Sequence, residues 1–296
     1  VKITARFNIH AATIATALCI FNSPPVTTAQ TFENGGKLLL TRGVSTVGGA
    51  AGGGIVPWAL IAGNETDRGI GGAASATYID LPDYTVHSVS ASAGFYNRFE
   101  LSYAHQVLNT GDTGTALGIG QGAEFKQDII GAKVRVLGDA VFDQDKWLPQ
   151  MAVGLTYKSA DQSALLGALG AENSDGVEAY VSATKIILSE SLLLSGTLRY
   201  TDANQNGLLG FGGQNAPSLN PEVSLGYMVS RRLLIGGEYR VKPDNLAFAE
   251  EDDWLDIFAA YAINDNMTAT VAYADLGSIA TFDEQRGLYL SLQLGF

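Results

Sequence analysis

The chain has 296 residues, of which 46% are hydrophobic and 16% charged, with 35 glycines, one cysteine and a formal charge of −12 at neutral pH. It is too apolar for a disordered polymer and too poor in charge for an ordinary soluble domain, where about 25% is usual. The acidic balance argues against a surface that wraps nucleic acid or clings to anionic lipid, and Cys19 alone supports neither a disulfide framework nor a Cys-based metal site.

In chain order, residues 1–29 have the layout of a secretory signal. Lys2 and Arg6 precede the apolar run Ala11–Phe21, and small residues end at Val26-Thr27-Thr28-Ala29, which places a mature start at Gln30. The run falls short of the roughly 20 apolar residues an anchor helix needs. Leu18, where a small residue would be expected, argues against a lipid anchor on Cys19. No run of roughly 20 apolar residues follows, so a membrane crossing by the rest of the chain must use strands.

Residues 30–70 form a Gly-rich segment. Its glycine run lacks the Lys-Ser/Thr tail and strand-to-helix setting of a phosphate loop. Two uses remain open: a periplasmic strap, or a plug that enters a barrel lumen, with Gly52, Gly53, Gly54, Pro57 and Trp58 as its candidate residues.

Residues 71–296 read as an antiparallel transmembrane β-barrel of about twelve strands, with ten or fourteen as the alternatives. Polar and apolar residues alternate over stretches of about 11 residues, the length of a tilted membrane-crossing strand. The pattern predicts strands over 71–81, 85–95, 98–108, 125–137, 148–159, 174–187, 191–202, 219–229, 232–243, 252–263, 266–276 and 284–296. Connections near 96–97, 189–190, 230–231 and 264–266 are tight; those at 109–124, 160–173 and 203–218 are long and polar. Short turns on one side and long loops on the other is the outer-membrane pattern, with the short side periplasmic. The connections at 138–147 and 82–84 fit it poorly.

By strand parity, the charged residues facing the lumen are Arg98, Glu100, Lys133, Arg135, Glu178, Arg199, Glu222, Glu238, Arg240, Lys242 and Asp256. Both signs occur, so they can pair to stiffen the wall or line a solute path as an electrostatic filter. A hairpin turning around Tyr96 would set His87 directly across from His105 on the lipid-facing side, at an interfacial rim. Weak metal binding or hydrolysis are lesser readings, since a metal normally takes three or four ligands and Ser88, Ser90 and Ser102 fall on the other face. No catalytic residue, metal or cofactor is assigned. Tyr78, Tyr103, Trp147, Tyr157, Tyr200, Tyr227 and Tyr261 suit a membrane-interface belt.

In the last strand, Leu288, Leu290, Leu292, Leu294 and Phe296 share one face. This resembles the C-terminal assembly signal of outer-membrane barrels, here Tyr289, Leu292, Leu294 and Phe296. GGKLLLTRGVSTV and GGGIVPW, in turn, resemble the opening of an uncharacterised family of proteobacterial outer-membrane proteins known only as a domain of unknown function. That resemblance runs from about Gly35 to Phe296, implies a Gram-negative outer-membrane location, and carries no activity or site residue with it. Outer-membrane phospholipases and fatty-acid transporters with an N-terminal hatch are similar in architecture only.

The expected function is passive passage of a small solute, a hydrophobic one being one option, through an outer-membrane channel constricted by residues 44–58. A structural barrel with a closed lumen is the alternative, and an outer-membrane hydrolase a distant third. The expected partners are outer-membrane lipids and lipopolysaccharide, the barrel-assembly machinery and the solute. Nucleic acid is excluded, and the oligomeric state is open.

Overall fold

The computed structural model describes residues 37–41 and 44–296; the predicted signal segment and its cut site lie outside them. Twelve antiparallel strands close into a barrel: β1 (Ile70–Asp80), β2 (Thr85–Phe95), β3 (Phe99–Asn109), β4 (Glu124–Leu137), β5 (Gln150–Ala160), β6 (Asp175–Ile187), β7 (Leu192–Thr201), β8 (Ser218–Ser230), β9 (Leu233–Arg240), β10 (Trp254–Ala262), β11 (Met267–Asp275) and β12 (Arg286–Gly295). Each strand pairs with its sequence neighbours. The ring closes where β1 meets β12, from Ala73 opposite Gly295 to Asp80 opposite Leu288. Closure leaves no unpaired edge, which a lipid environment requires.

Alternation along each strand produces the two faces. Leu101, Ile130, Leu198, Leu225, Ile257 and Tyr273 are exposed on the outside, whereas their sequence neighbours are buried within the ring. Several of those buried neighbours are Ser, Thr or charged residues. This is the reverse of a water-soluble sheet and matches the period-2 patterning of barrels that face hydrocarbon. Among the described residues no helix is long and apolar enough to cross a membrane, a statement that does not bear on crossing by strands.

Some elements depart from the sequence reading. The turn between β2 and β3 takes three residues, 96–98, with Tyr96 and Asn97 in the left-handed region (φ 55° and 47°). The register therefore centres on Asn97: His87 faces Val107, and His105 faces Val89. The two histidines lie diagonally, two positions off the expected opposition. Arg98 belongs to this turn and is exposed rather than lumen-facing. β9 stops at Arg240, short of the expected 243, because the Asp253 side chain takes the Lys242 amide at 3.1 Å and Pro243 has no N–H to continue the ladder. The long connection at 138–149 does lie on the short-turn side, and Leu81 and Tyr84 close a tight turn (2.9 Å) on the other.

Candidate functional site

Inside the ring, the wall presents short hydroxyl and amide side chains together with nine buried charges: Glu100, Lys133, Lys158, Glu178, Arg199, Glu222, Glu238, Arg240 and Asp256. Eight of them are on the sequence-derived list. Lys158 was missed, although its parity with Ala152 and Gly154, opposite Leu155 and Tyr157, identifies it. Arg135 sits at the short-turn rim, paired with Asp67 (3.1 Å) and Asp139 (3.3 Å), and Lys242 is buried just past β9.

Two pieces of chain fill this space. The first is residues 44–65, buried almost throughout. Its backbone is hydrogen-bonded to wall side chains from β2 to β9. Ser88 and Gln106 donate to the Val47 carbonyl (2.7 Å each), and Glu100 accepts from the Ala51 and Ala62 amides (3.1 and 2.8 Å). Lys133 donates to the carbonyls of Ala51, Trp58 and Leu60 (3.0, 3.1 and 2.7 Å). Gln150 donates to Ala59 O (2.6 Å), Thr197 to Pro57 O (2.8 Å) and Arg240 to Ile55 O (3.3 Å). Thr184 accepts from Ala59 N and Glu238 from Ile55 N, both at 2.8 Å. Irregular backbone can lie at this depth because its polar groups find partners on the wall.

The candidate plug residues sit at the centre of this segment. Trp58 is buried, donates its indole N–H to Ser224 at 2.9 Å, and joins Ile55, Val56, Leu193, Leu234 and Phe258 in one apolar cluster. Gly52 approaches the Val56 and Pro57 backbone, and a Cβ on Gly53 would overlap the Glu238 carboxylate. Glycine is required there by close approach rather than by flexibility.

Lys37, before the segment, and Glu65, at its end, meet at the short-turn rim. Lys37 donates to Glu65 (2.6 Å) and to Ile61 O (2.7 Å), and the Phe296 carbonyl accepts from Asn64 N (3.2 Å) and Gly72 N (2.7 Å) beside the β1–β12 seam. Burial lowers the Lys37 amine and raises the Glu65 carboxyl from their ordinary values, each opposed by the other's charge. Of the predicted assembly-signal residues, Tyr289 points into the ring and is buried, and Phe296 lies against Gly72.

The second insert, residues 203–211 of the β7–β8 loop, is also buried. Gln205 and Asn206 adopt left-handed backbone (φ 45° and 58°), which non-Gly residues accept only when their surroundings hold them. Here the side chains do the holding. Asn206 Oδ1 accepts from Lys158 (2.7 Å) and Arg240 (2.8 Å), and Gln205 accepts from Lys242 (3.3 Å). Glu251 takes the Gln205 amide on both oxygens (2.7 and 2.9 Å). Burial raises the Glu251 carboxyl to about 6 against the opposing pull of Lys242, whose own amine burial lowers. Sequence reading placed this stretch among the surface loops, and no parity rule applies to a loop.

Ion pairs link the wall beneath both inserts. Lys158–Glu178 (2.8 Å), Arg199–Glu178 (3.1 Å), Arg199–Glu222 (2.5 Å) and Arg240–Glu222 (3.4 Å) form a chain across β5 to β9, and Lys133–Glu100 (3.1 Å) stands apart. Buried pairs of this kind define geometry more than they add stability, because desolvation offsets much of the attraction. On the outer surface His105 bonds Asp128 (2.9 Å), as does Tyr103 (2.6 Å), while Ser88, Ser90 and Ser102 point inward. Trp147 is fully exposed in the 138–149 connection.

The barrel resembles solved structures at the level of fold. KdgM porin is 11% identical with a TM-score of 0.50, the match covering 76% of this chain and 99% of that one. KdgM porin in complex with disordered oligogalacturonate is 12% identical with the same TM-score and coverage. No curated protein matches the chain. The family model described as "Protein of unknown function (DUF3034)" matches residues 41–293, and the chain belongs to that family.

Proposed function

We propose that this DUF3034 member is an outer-membrane channel for passive passage of a small solute, held shut by residues 44–65 and covered from the long-loop side by residues 203–211. The observation that carries the reading is topological. The first insert enters and returns at one rim, where Lys37 meets Glu65 at 2.6 Å, so it can be withdrawn without threading. What it would uncover is a wall mainly of hydroxyls, amides and charges, with an apolar patch at Leu193, Leu234 and Phe258, a surface better suited to water and polar solutes than to the hydrophobic solute that was one expectation. The barrel it shares with KdgM porin is in keeping with a pore.

The test is removal of residues 44–58 with single-channel recording in a planar bilayer. The expected result is a conductance well above that of the intact chain. Equal conductance would sink the gate and favour the second reading, a structural barrel, which draws its support from the ion-pair chain spanning β5 to β9.

A further inference from the structure

One part of the wall has no ion pair of its own. Glu238 on β9 and Asp256 on β10 are cross-strand neighbours in register, both buried and both inward-facing. Like charges directly opposite one another repel. Among the described residues no ion pair reaches either one. The nearest guanidinium, Arg240, is turned to Glu222, Ile55 O and Asn206.

What satisfies Glu238 is the insert together with one wall hydroxyl. Its oxygens accept the Ile55 amide (2.8 Å) and the Ser224 hydroxyl (2.6 Å). Asp256 Oδ1 has no partner at all. A second, independent group points to the same spot. The Tyr289 hydroxyl on β12 is buried and makes no well-formed hydrogen bond, with only the Thr77 and Ser291 hydroxyls, themselves 2.8 Å apart, beside it. Tyr289 OH and Asp256 Oδ2 both converge on Gly54, at 3.5 and 3.2 Å from where its Cβ would be. Beside them, Trp254 already has Arg240 and Lys242 over its ring, at 5.3 and 5.4 Å.

We infer that Glu238, Asp256 and Tyr289 form a binding site for the ammonium or guanidinium head of a small solute, masked by Gly53–Ile55 in the closed barrel. The insert's N–H groups occupy the place of the solute's. When the insert withdraws, two carboxylates and a phenol oxygen are left as acceptors, and a multi-donor cation satisfies all three while cancelling the repulsion between the acids. Among the described residues no group of three or more His, Cys, Asp or Glu gathers here as a metal cage would require, whereas two carboxylates and a phenol match the donor count of an amine. The inference deepens the channel reading by naming the class of solute, and it rests on withdrawal of the insert.

The test uses 1,4-diaminobutane as the probe, with the full detergent-solubilised chain lacking residues 44–58. A second background carries Gly53→Val, which leaves every strand intact and breaks the close contact between the insert and the Glu238 carboxylate. Calorimetric binding is measured in each background with and without Glu238→Gln plus Asp256→Asn. The expected result is binding that weakens at least tenfold when both carboxylates become amides, together with a KCl-gradient reversal potential that loses cation preference. Binding that is absent in both backgrounds, or unchanged by the amide substitutions, overturns the inference whatever the conductance. A failure to conduct, with carboxylate-dependent binding intact, overturns the channel reading alone.

Discussion

The two inserts fill one lumen by different means. Residues 44–65 are held mainly through their backbone, whose amides and carbonyls meet side chains of the wall. Residues 203–211 add their own side chains to such backbone contacts: Asn206 Oδ1 and Gln205 Oε1 accept from Lys158, Arg240 and Lys242, while the Gln205 backbone N–H meets Glu251 and the Asn206 carbonyl meets Lys158. The contrast teaches where each is vulnerable: the first to changes in the wall and to added bulk at Gly53, the second to changes in its own sequence.

Substitutions on the two sides should separate them. The largest effect is expected from Lys133→Met. It removes three carbonyl contacts and leaves Glu100 buried without its cation, a loss of about 3–5 kcal/mol. It should lower the thermal midpoint and speed hydrogen exchange at Ala51 and Ala62 while sparing Gln205; equal protection of the Ala51 and Ala62 amides in both proteins would break the comparison.

Asn206→Ala should come next. It leaves Lys158 and Arg240 short of an acceptor at a cost of about 1.5–3 kcal/mol, and should expose the 203–217 loop to protease with the 44–65 segment still protected. Simultaneous loss of both inserts would show that they are one unit joined through Arg240.

The smallest effect is a pH dependence. The docked Glu251 has its pKa raised from 4.5 to about 6 by burial, so the docked loop binds a proton more tightly than the undocked one. Docking is then favoured below about 4.5 and weakens as pH rises through 6, by about 2 kcal/mol at most. Proteolysis of the loop should be faster at pH 7 than at pH 5, and Glu251→Gln should flatten that difference.

The strands and their faces were legible because hydrocarbon outside and polar groups inside impose a two-residue period that any single strand reveals. Eight of the nine wall charges came from that rule, and the ninth, Lys158, obeyed it unread. Arg98 failed because parity was carried one residue past the strand into a turn with two left-handed residues. The His87–His105 opposition failed for the same reason: the turn's length sets the register, and the tight pair 96–97 suggested a centre one residue too early. Gly52, Gly53, Gly54, Pro57 and Trp58 stood out by composition, but nothing in their order says that Glu238 is what Gly53 touches.

By itself, then, the sequence determined a barrel of about twelve spans, most of the side chains that turn inward, and the peculiarity of the segment before them, since each is a local consequence of alternation or of glycine content. Tertiary structure alone decided what occupies the lumen, that Asn206 leaves its loop to meet Lys158 and Arg240, and that Glu238 and Asp256 become neighbours with no cation between them. Those facts depend on ring closure and register, which bring together groups from separate strands and loops whose meeting no local pattern encodes.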